Sequence, residues 1–338
     1  VANNRIFYAV QAVGIAPEST TTFVALRGVQ SVGINTTFNL EQVFELGMIS
    51  IYQNIENIPD IEVTMEKSLD GHPLIYHRAT QNAADATLVG RSAKRCNMAL
   101  SVFTDTQQAA SGTPVAQCYV SGCFVNAVSY RVQTDGNAIE SVTLVANNKR
   151  WLTSAFTFTG GFTPTGVPLA AEGVNRRQHV DMGTSLWPTI IPGISSSGTN
   201  DKTGDVYGAH LQSANLSVNL NREQLLELGR RGPYFRFVQF PVETTAEITI
   251  TASSGDNVGA TEDGVLGGGN NLSNERIYVA FTEGTKVDLG TRNKLASVNY
   301  TGGDAGNQGG NVTVTYNFQG YNDFTVTHPQ DPTVGLAA

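Results

Sequence analysis

The chain has 338 residues, of which only 15% are charged, with 21 Lys and Arg against 29 Asp and Glu, for a net charge of −8. That length admits two domains. The acidic balance excludes tight nucleic-acid binding, which needs a basic footprint, though not DNA that merely passes by. The 35 glycines, with abundant Asn, Thr and Ser, give the texture of a turn-rich all-β protein. No apolar run reaches the length of a membrane span, and no basic-then-apolar opening reads as a leader. Val1 in first place predicts that an initiator Met has been removed. The odd set Cys96, Cys118 and Cys123 argues against a disulfide scaffold and for cytoplasmic synthesis.

Residues 29–38 alternate, with Val32, Ile34 and Phe38 on one face and Ser31, Gly33, Asn35 and Thr37 on the other, which predicts a half-buried strand. NLEQVFELG follows, at 39–47. Asn39 with Gln42 three residues on fits a capping box, and Gly47 fits a helix C-cap, so a two-turn helix is expected. Pro59 opens a second alternating segment. Ile61, Val63 and Met65 face one way, and Asp60, Glu62, Thr64 and Glu66 the other. Further strands are expected at 99–104, 117–120, 124–133 and 139–146, with a hairpin signal at Asp135-Gly136.

This order then recurs. NREQLLELG at 221–229 matches six of nine positions of the earlier stretch. At an offset of 182, residues 29–59 and 211–241 share ten of 31 positions, including Gln30/Gln212, Tyr52/Tyr234 and Pro59/Pro241. Unrelated stretches would share roughly two. A second block, 125–147 beside 295–317 at an offset of 170, shares seven of 23, including Tyr130/Tyr300. The fold class expected is therefore mainly β, as two tandem similar β-sandwich or split-barrel modules, each with a short flanking helix. The first module spans 1–165 and the second 206–338. Residues 166–205, Gly-, Ser- and Pro-rich, form a linker and surface excursion, with a strand near 182–191 leading into the second copy. In that copy strands are expected at 213–220, 245–251, 277–282, 295–300, 311–318 and 324–327. The run GDNVGATEDGVLGGGNNLSN reads as a long loop.

Catalytic chemistry leaves no mark. TGGFTPTG lacks the Lys of a phosphate-binding loop, there is no Gly-x-Ser-x-Gly elbow, and Gly267-Gly268-Gly269 does not open a helix after a strand. His72, His77 and Asp70 are too loosely spaced for zinc. Cys118 and Cys123 read as buried strand thiols. Arg176-Arg177 and Arg230-Arg231 read as solvated or salt-bridged pairs. No enzyme, cofactor or metal site is expected.

VQSVGINTTFNLEQVFELG followed by IYQNIENIPDIEVTMEK resembles the tail tube proteins of long-tailed bacteriophages, over residues 29–71 with an echo at 211–251. In that family four strands per module join a ring-shaped barrel, usually of six modules. The duplication resembles the variant with two fused modules, in which three chains make a pseudo-sixfold ring. The resemblance implies a virion structural protein, assembled in the host cytoplasm. Its partners would be copies of itself in stacked rings, with sheath, tape-measure and tail-terminator proteins and transiently passing double-stranded DNA, and no membrane. Six modules of four strands, at ~4.8 Å spacing and ~40° tilt, give a wall roughly 150 Å around and about 48 Å across. That bore admits a DNA duplex with water to spare.

The resemblance makes the small polar strand faces candidates for the lumen: Ser31, Asn35, Thr37, Glu62, Thr64, Glu66, Ser213, Asn215, Ser217, Asn219 and Glu247. Their negative charge would repel phosphate, with no Lys or Arg to brake moving DNA. The competing placement is the solvent face of a sandwich. Val43, Phe44, Tyr52 and Ile55, with Leu225, Tyr234, Phe235 and Phe237, are candidates for contacts between modules or rings. The resemblance leaves a second virion role open, a baseplate hub or tail-completion protein built from tube-like modules, and a third reading from a different class is a two-domain β-sandwich that binds carbohydrate or acts as an adhesin.

Overall fold

A computed structural model describes residues 5–20, 22–83, 85–105, 113–153, 156–159, 168–191, 194, 210–230, 232–252, 272–302 and 311–331. In chain order its elements are β1 (Gln11–Pro17), β2 (Thr22–Ala25), β3 (Val29–Thr37), β4 (Leu40–Phe44), β5 (Ile51–Glu56), β6 (Asp60–Ser68), α1 (Ile75–Ala79), α2 (Leu88–Ser92), β7 (Cys96–Val102), β8 (Ala116–Gln133), β9 (Ile139–Ala146), β10 (Asn148–Leu152) and β11 (Thr157–Thr159). Then come β12 (His210–Asn219), β13 (Arg222–Leu225), β14 (Phe235–Val238), β15 (Glu243–Thr251), β16 (Tyr278–Ala280), β17 (Lys286–Asp288), β18 (Lys294–Thr301), β19 (Thr313–Tyr321) and β20 (Thr325–Thr327). The mainly-β class is as expected.

One strand organises the molecule. β8 runs for 18 residues and belongs to two sheets. Its first half pairs with β7 and β10, in a sheet completed by β1, β2 and β11. Its second half pairs with β9 and β12. Gly122 sits between the halves at φ +63, and a Cβ there would come within 3.0 Å of the Asn147 side chain. Glycine is what lets one strand turn from one sheet into the other.

The second sheet has eight antiparallel strands in the order β3-β6-β9-β8-β12-β15-β19-β18. Its pairing pattern repeats. β3 and β6 are out of step between Val29 and Ser31, and β12 and β15 between Leu211 and Ser213. The bulged residues are Gln30 and Gln212, and each donates its side-chain amide to the carbonyl two residues back, at 3.1 and 3.4 Å. A second shift falls between Val125 and Ala127 in β8 and between Leu295 and Ser297 in β18. The return strands are not at the offsets expected. Val128 pairs with Val142, while Val298 pairs with Tyr316, so β19 lies four residues further on than the ungapped match of 125–147 onto 295–317 places it.

Under the inner face of this sheet lies one continuous core. Val63, Met65, Val128, Tyr130, Leu144, Leu216, Ile248 and Tyr316 pack against Ile75, Tyr76, Trp187, Val287, Phe324 and Val326. The cover comes from α1 and from the small sheet β16-β17-β20. Burying this much apolar surface is the main driving force, at roughly 25 cal/mol per Å² removed from water.

Two further expectations are corrected. The predicted helices at 39–47 and 221–229 are β-hairpins, β4-β5 and β13-β14. Asn39 does not cap a helix. Its amide donates to the Ile58 carbonyl and to Asp60 Oδ2, both at 3.1 Å, which ties the base of the hairpin. Gly47 and Gly229, at φ +92 and +84, serve turns at the hairpin tips. Among the described residues the α-helices that form, α1 and α2, both lie in the first half. Residues 182–191 make no strand; Leu186 bridges Tyr278, and Trp187 and Ile191 plug the core. The loop expected at 255–274 lies outside the described residues as far as 271.

Candidate functional site: a polar sheet face and two hairpins

Alternation puts one set of side chains of the eight-stranded sheet into the core and the other outside. Every lumen candidate falls on that outer face. Across β3 and β6, Ser31 lies opposite Glu66, Gly33 opposite Thr64, and Asn35 opposite Glu62. β6 continues the rows to Ser141, Thr143 and Val145 of β9. On the other side of β8, Ser213, Asn215 and Ser217 lie opposite Thr249, Glu247 and Thr245, and β19 extends these rows through Thr315, Asn317 and Gln319. Thr37 and Asn219 share this face, at the strand ends.

The face is knitted by short cross-strand hydrogen bonds: Ser31 Oγ to Glu66 at 3.3 Å, Ser217 with Thr245 at 2.6 Å, Thr249 with Thr315 at 3.1 Å and Asn317 to Ser297 at 2.9 Å. Asp60, Glu62, Glu66, Glu243 and Glu247 make it acidic. It is not free of cations, contrary to expectation. β8 presents exposed Arg131 between Ile139 and Asn215, and β18 presents Lys294 opposite Gln319. The sequence placed Arg131 in a strand, but only the register shows which way that strand faces.

The hairpins carry the contact candidates. In the first, Phe44, Tyr52 and Ile55 are exposed and Val43 is half-buried. In the second, Leu225, Tyr234 and Phe237 are exposed, and Arg230 lies over the Tyr234 ring. Phe235 differs: it turns inward, with its ring 4.9 Å from that of Phe124.

The second hairpin is bolted to the first half of the chain. Arg222 donates to the carbonyls of Val125, Arg236 and Ser92, at 2.5, 2.9 and 2.7 Å, with its guanidinium over the Phe124 ring. Arg236 reaches Asn147 Oδ1 at 3.1 Å and the Ala146 carbonyl at 3.2 Å, and Gln224 donates to Asp60 at 2.9 Å. Burial lowers the Arg222 pKa to about 10, which leaves it charged at neutral pH.

Sequence reasoning did not foresee the polar groups buried beneath the sheet. Glu140 accepts from the backbone N–H groups of Ile75 and Tyr76, at 2.7 and 3.1 Å, and from Tyr130 Oη at 2.9 Å. It thereby caps α1, whose own N-cap residue Leu74 cannot. Burial raises its pKa, opposed by those donors. Arg91 Nη2 meets Asp331 at 2.6 Å, and His77 Nε2 contacts the Val326 carbonyl, so the C-terminal segment is clamped against α1 and α2. Lys67 pairs with Asp70, and His72 donates its backbone N–H to Asp70. The three cysteines are buried and free, Cys96 lying opposite Cys123. Among the described residues no group of three His, Cys, Asp or Glu could hold a metal, and no helix is long and apolar enough to cross a membrane. Arg176 bridges Asn137, and Arg177 donates to the Thr134 carbonyl at 3.4 Å.

No family model and no curated protein matches the chain. Chains of several solved structures resemble part of it, three of them as follows. A chain from the baseplate of the anti-feeding prophage is 12% identical, with 45% of this chain and 97% of that one covered, at a TM-score of 0.32. A chain from the tube-terminating cap of the same particle is 14% identical, with 46% and 95% covered, at 0.34. A chain from the sheath–tube complex of an extracellular contractile injection system is 13% identical, with 45% and 94% covered, at 0.33.

Proposed function

We propose that this chain is a structural, non-enzymatic subunit of a tail tube. Residues 29–146 and 210–321 are two copies of one four-strand unit, and three chains close a ring of six such units. The outer polar face of the sheet turns inward to line the lumen, the rings stack, and DNA passes through. One observation carries this reading. The two four-strand ladders have the same order and the same bulges and are joined edge to edge by β8 and β12, which leaves unpaired, among the described residues, the two edges β3 and β18 that correspond to β12 and β8. A unit that joins its own twin in this way can join the next chain likewise, and a rotation repeated so closes a ring.

The face suits passage. Its hydroxyls and amides satisfy one another, and its acidic surplus disfavours stationary phosphate. The apolar hairpin tips, with Leu46, Ile49 and Leu228 fully exposed, are the contacts to the ring above or below. Negative-stain imaging of the purified protein tests the reading. Rings or tubes with threefold symmetry and a central hole are expected; a monomer at all concentrations would overturn it. One ring per particle, rather than dozens, would favour a hub or completion protein.

A further inference from the structure

We propose that β3 of one copy adds to β18 of a second copy in a defined antiparallel register, with Asn35 opposite Asn299. This repeats between chains the seam that β8 and β12 make within one, and it rests on the ring reading above. The register follows from correspondences already described. The shared bulges match Ser31 of β3 to Ser213 of β12, and Ala127 of β8 to Ser297 of β18. In the internal seam Ser217 lies opposite Ser129, Leu216 opposite Tyr130 and Asn219 opposite Ala127. Carried to the free edges, these pairs become Asn35 with Asn299, Ile34 with Tyr300 and Thr37 with Ser297.

The burial pattern says what covers the edge. Tyr130 is 2% exposed, packed beside Leu216, also at 2%. Its counterpart Tyr300 is 54% exposed, although Val298, two residues before it, faces the core. Ile34, the counterpart of Leu216, is only half-buried on β3. A tyrosine and an isoleucine left open on opposite edges of one sheet, at the two positions that are sealed in the internal seam, fit each other on neighbouring copies. The first hairpin then lies over the neighbour as the second lies over its own chain. Gln42, the counterpart of Gln224, reaches Glu243, the counterpart of Asp60, whereas Leu40 stands where Arg222 does. The seam between chains therefore keeps the strand pairing and loses the guanidinium bolt.

Paired cysteines test the register. Opposed strand residues lie within disulfide reach, whereas a diagonal offset of two residues places Cα atoms about 7–8 Å apart, beyond it. N35C with N299C in the full-length chain, oxidised mildly, is expected to give interchain-linked species ending at a closed trimer. The yield should be at least about fivefold that of N35C with T301C. The wild-type chain, with its buried thiols, is the unlinked control. Rings that form without the in-register link, or that link better off register, would overturn the register and leave the tube reading standing. A wild-type chain that shows neither rings nor self-association would overturn both. Y300D, at an exposed edge, is expected to leave the unfolding midpoint of the isolated chain unchanged and to abolish rings. Rings that persist in Y300D would count against the Ile34–Tyr300 contact.

Discussion

The hairpins β4-β5 and β13-β14 have the same internal register, since Leu40 lies opposite Glu56 as Arg222 lies opposite Val238, 182 residues on. They have opposite fates within one chain. Every residue of β5 is exposed, whereas in β14 Arg236 is buried and Phe235 packs on Phe124. The backbone is thus specified locally, by strand pairing and a glycine turn, while docking is specified by whether a partner surface belongs to the same polypeptide. Where it does, the sequence supplies the half-buried Arg222 and the buried Arg236. Where it does not, Leu40 stands in the arginine's place and apolar groups lie exposed among Glu41, Glu45 and Glu56.

The sharpest way to break this contrast is R222A. It strands the carbonyls of Val125, Ser92 and Arg236 and should cost about 3 kcal/mol of stability in the isolated chain. The counterpart L40A should cost less than about 0.5 kcal/mol, because Leu40 is exposed, and should instead weaken self-association. Urea unfolding of both variants checks the pair; equal losses would erase the distinction between the hairpins.

Acid should act on neither hairpin but on the clamp beneath the first half. Burial, with Arg91 close by, holds His77 down to about 3, and burial with Lys67 holds His328 down to about 4, from an ordinary 6.5. The unfolded chain takes up these protons below about pH 6.5 and the folded chain does not until near its own lower values. Stability is therefore full above pH 6.5 and is lost as pH falls, approaching ~1.4 kcal/mol per pH unit for each histidine until the folded values are reached. H77Q should flatten that slope in pH-dependent unfolding.

A smaller effect is expected on the polar face. E62K with E66K should leave ring formation intact and slow DNA release from assembled particles, and unchanged release would argue against the lumen placement. The smallest is at the tips. L46S and L228S should each shift the unfolding of the isolated chain by no more than about 0.5 kcal/mol, while reducing ring stacking seen by microscopy.

Much of the sheet was legible because period-two alternation survives wherever one face is buried. Residues 139–146 were bounded as β9 is, and the Ser31 and Ser213 faces were assigned to the side they occupy. The hairpins were misread for a related reason. With apolar groups exposed on both faces, NLEQVFELG carries no burial period, and its Asn-x-x-Gln and Gly imitate helix caps. Long-range pairing left no local trace. The β8–β12 seam, the bend at Gly122 and the Arg91–Asp331 pair join residues up to 240 apart. The identities at Gln30/Gln212 and Tyr130/Tyr300 were the available signals. The first marks a bulge that breaks alternation, and the second a residue that is buried at 130 and exposed at 300, where no strand pairs beyond β18 among the described residues.

β8 has a mechanical consequence. Because residues 116–133 are one unbroken length of backbone shared by both sheets, a pull on either is carried to the other along covalent bonds, with no packed interface in series that could slip. Gly122 is the pivot between the two halves of that tendon. A side chain there would trade the angle between the two sheets for rigidity.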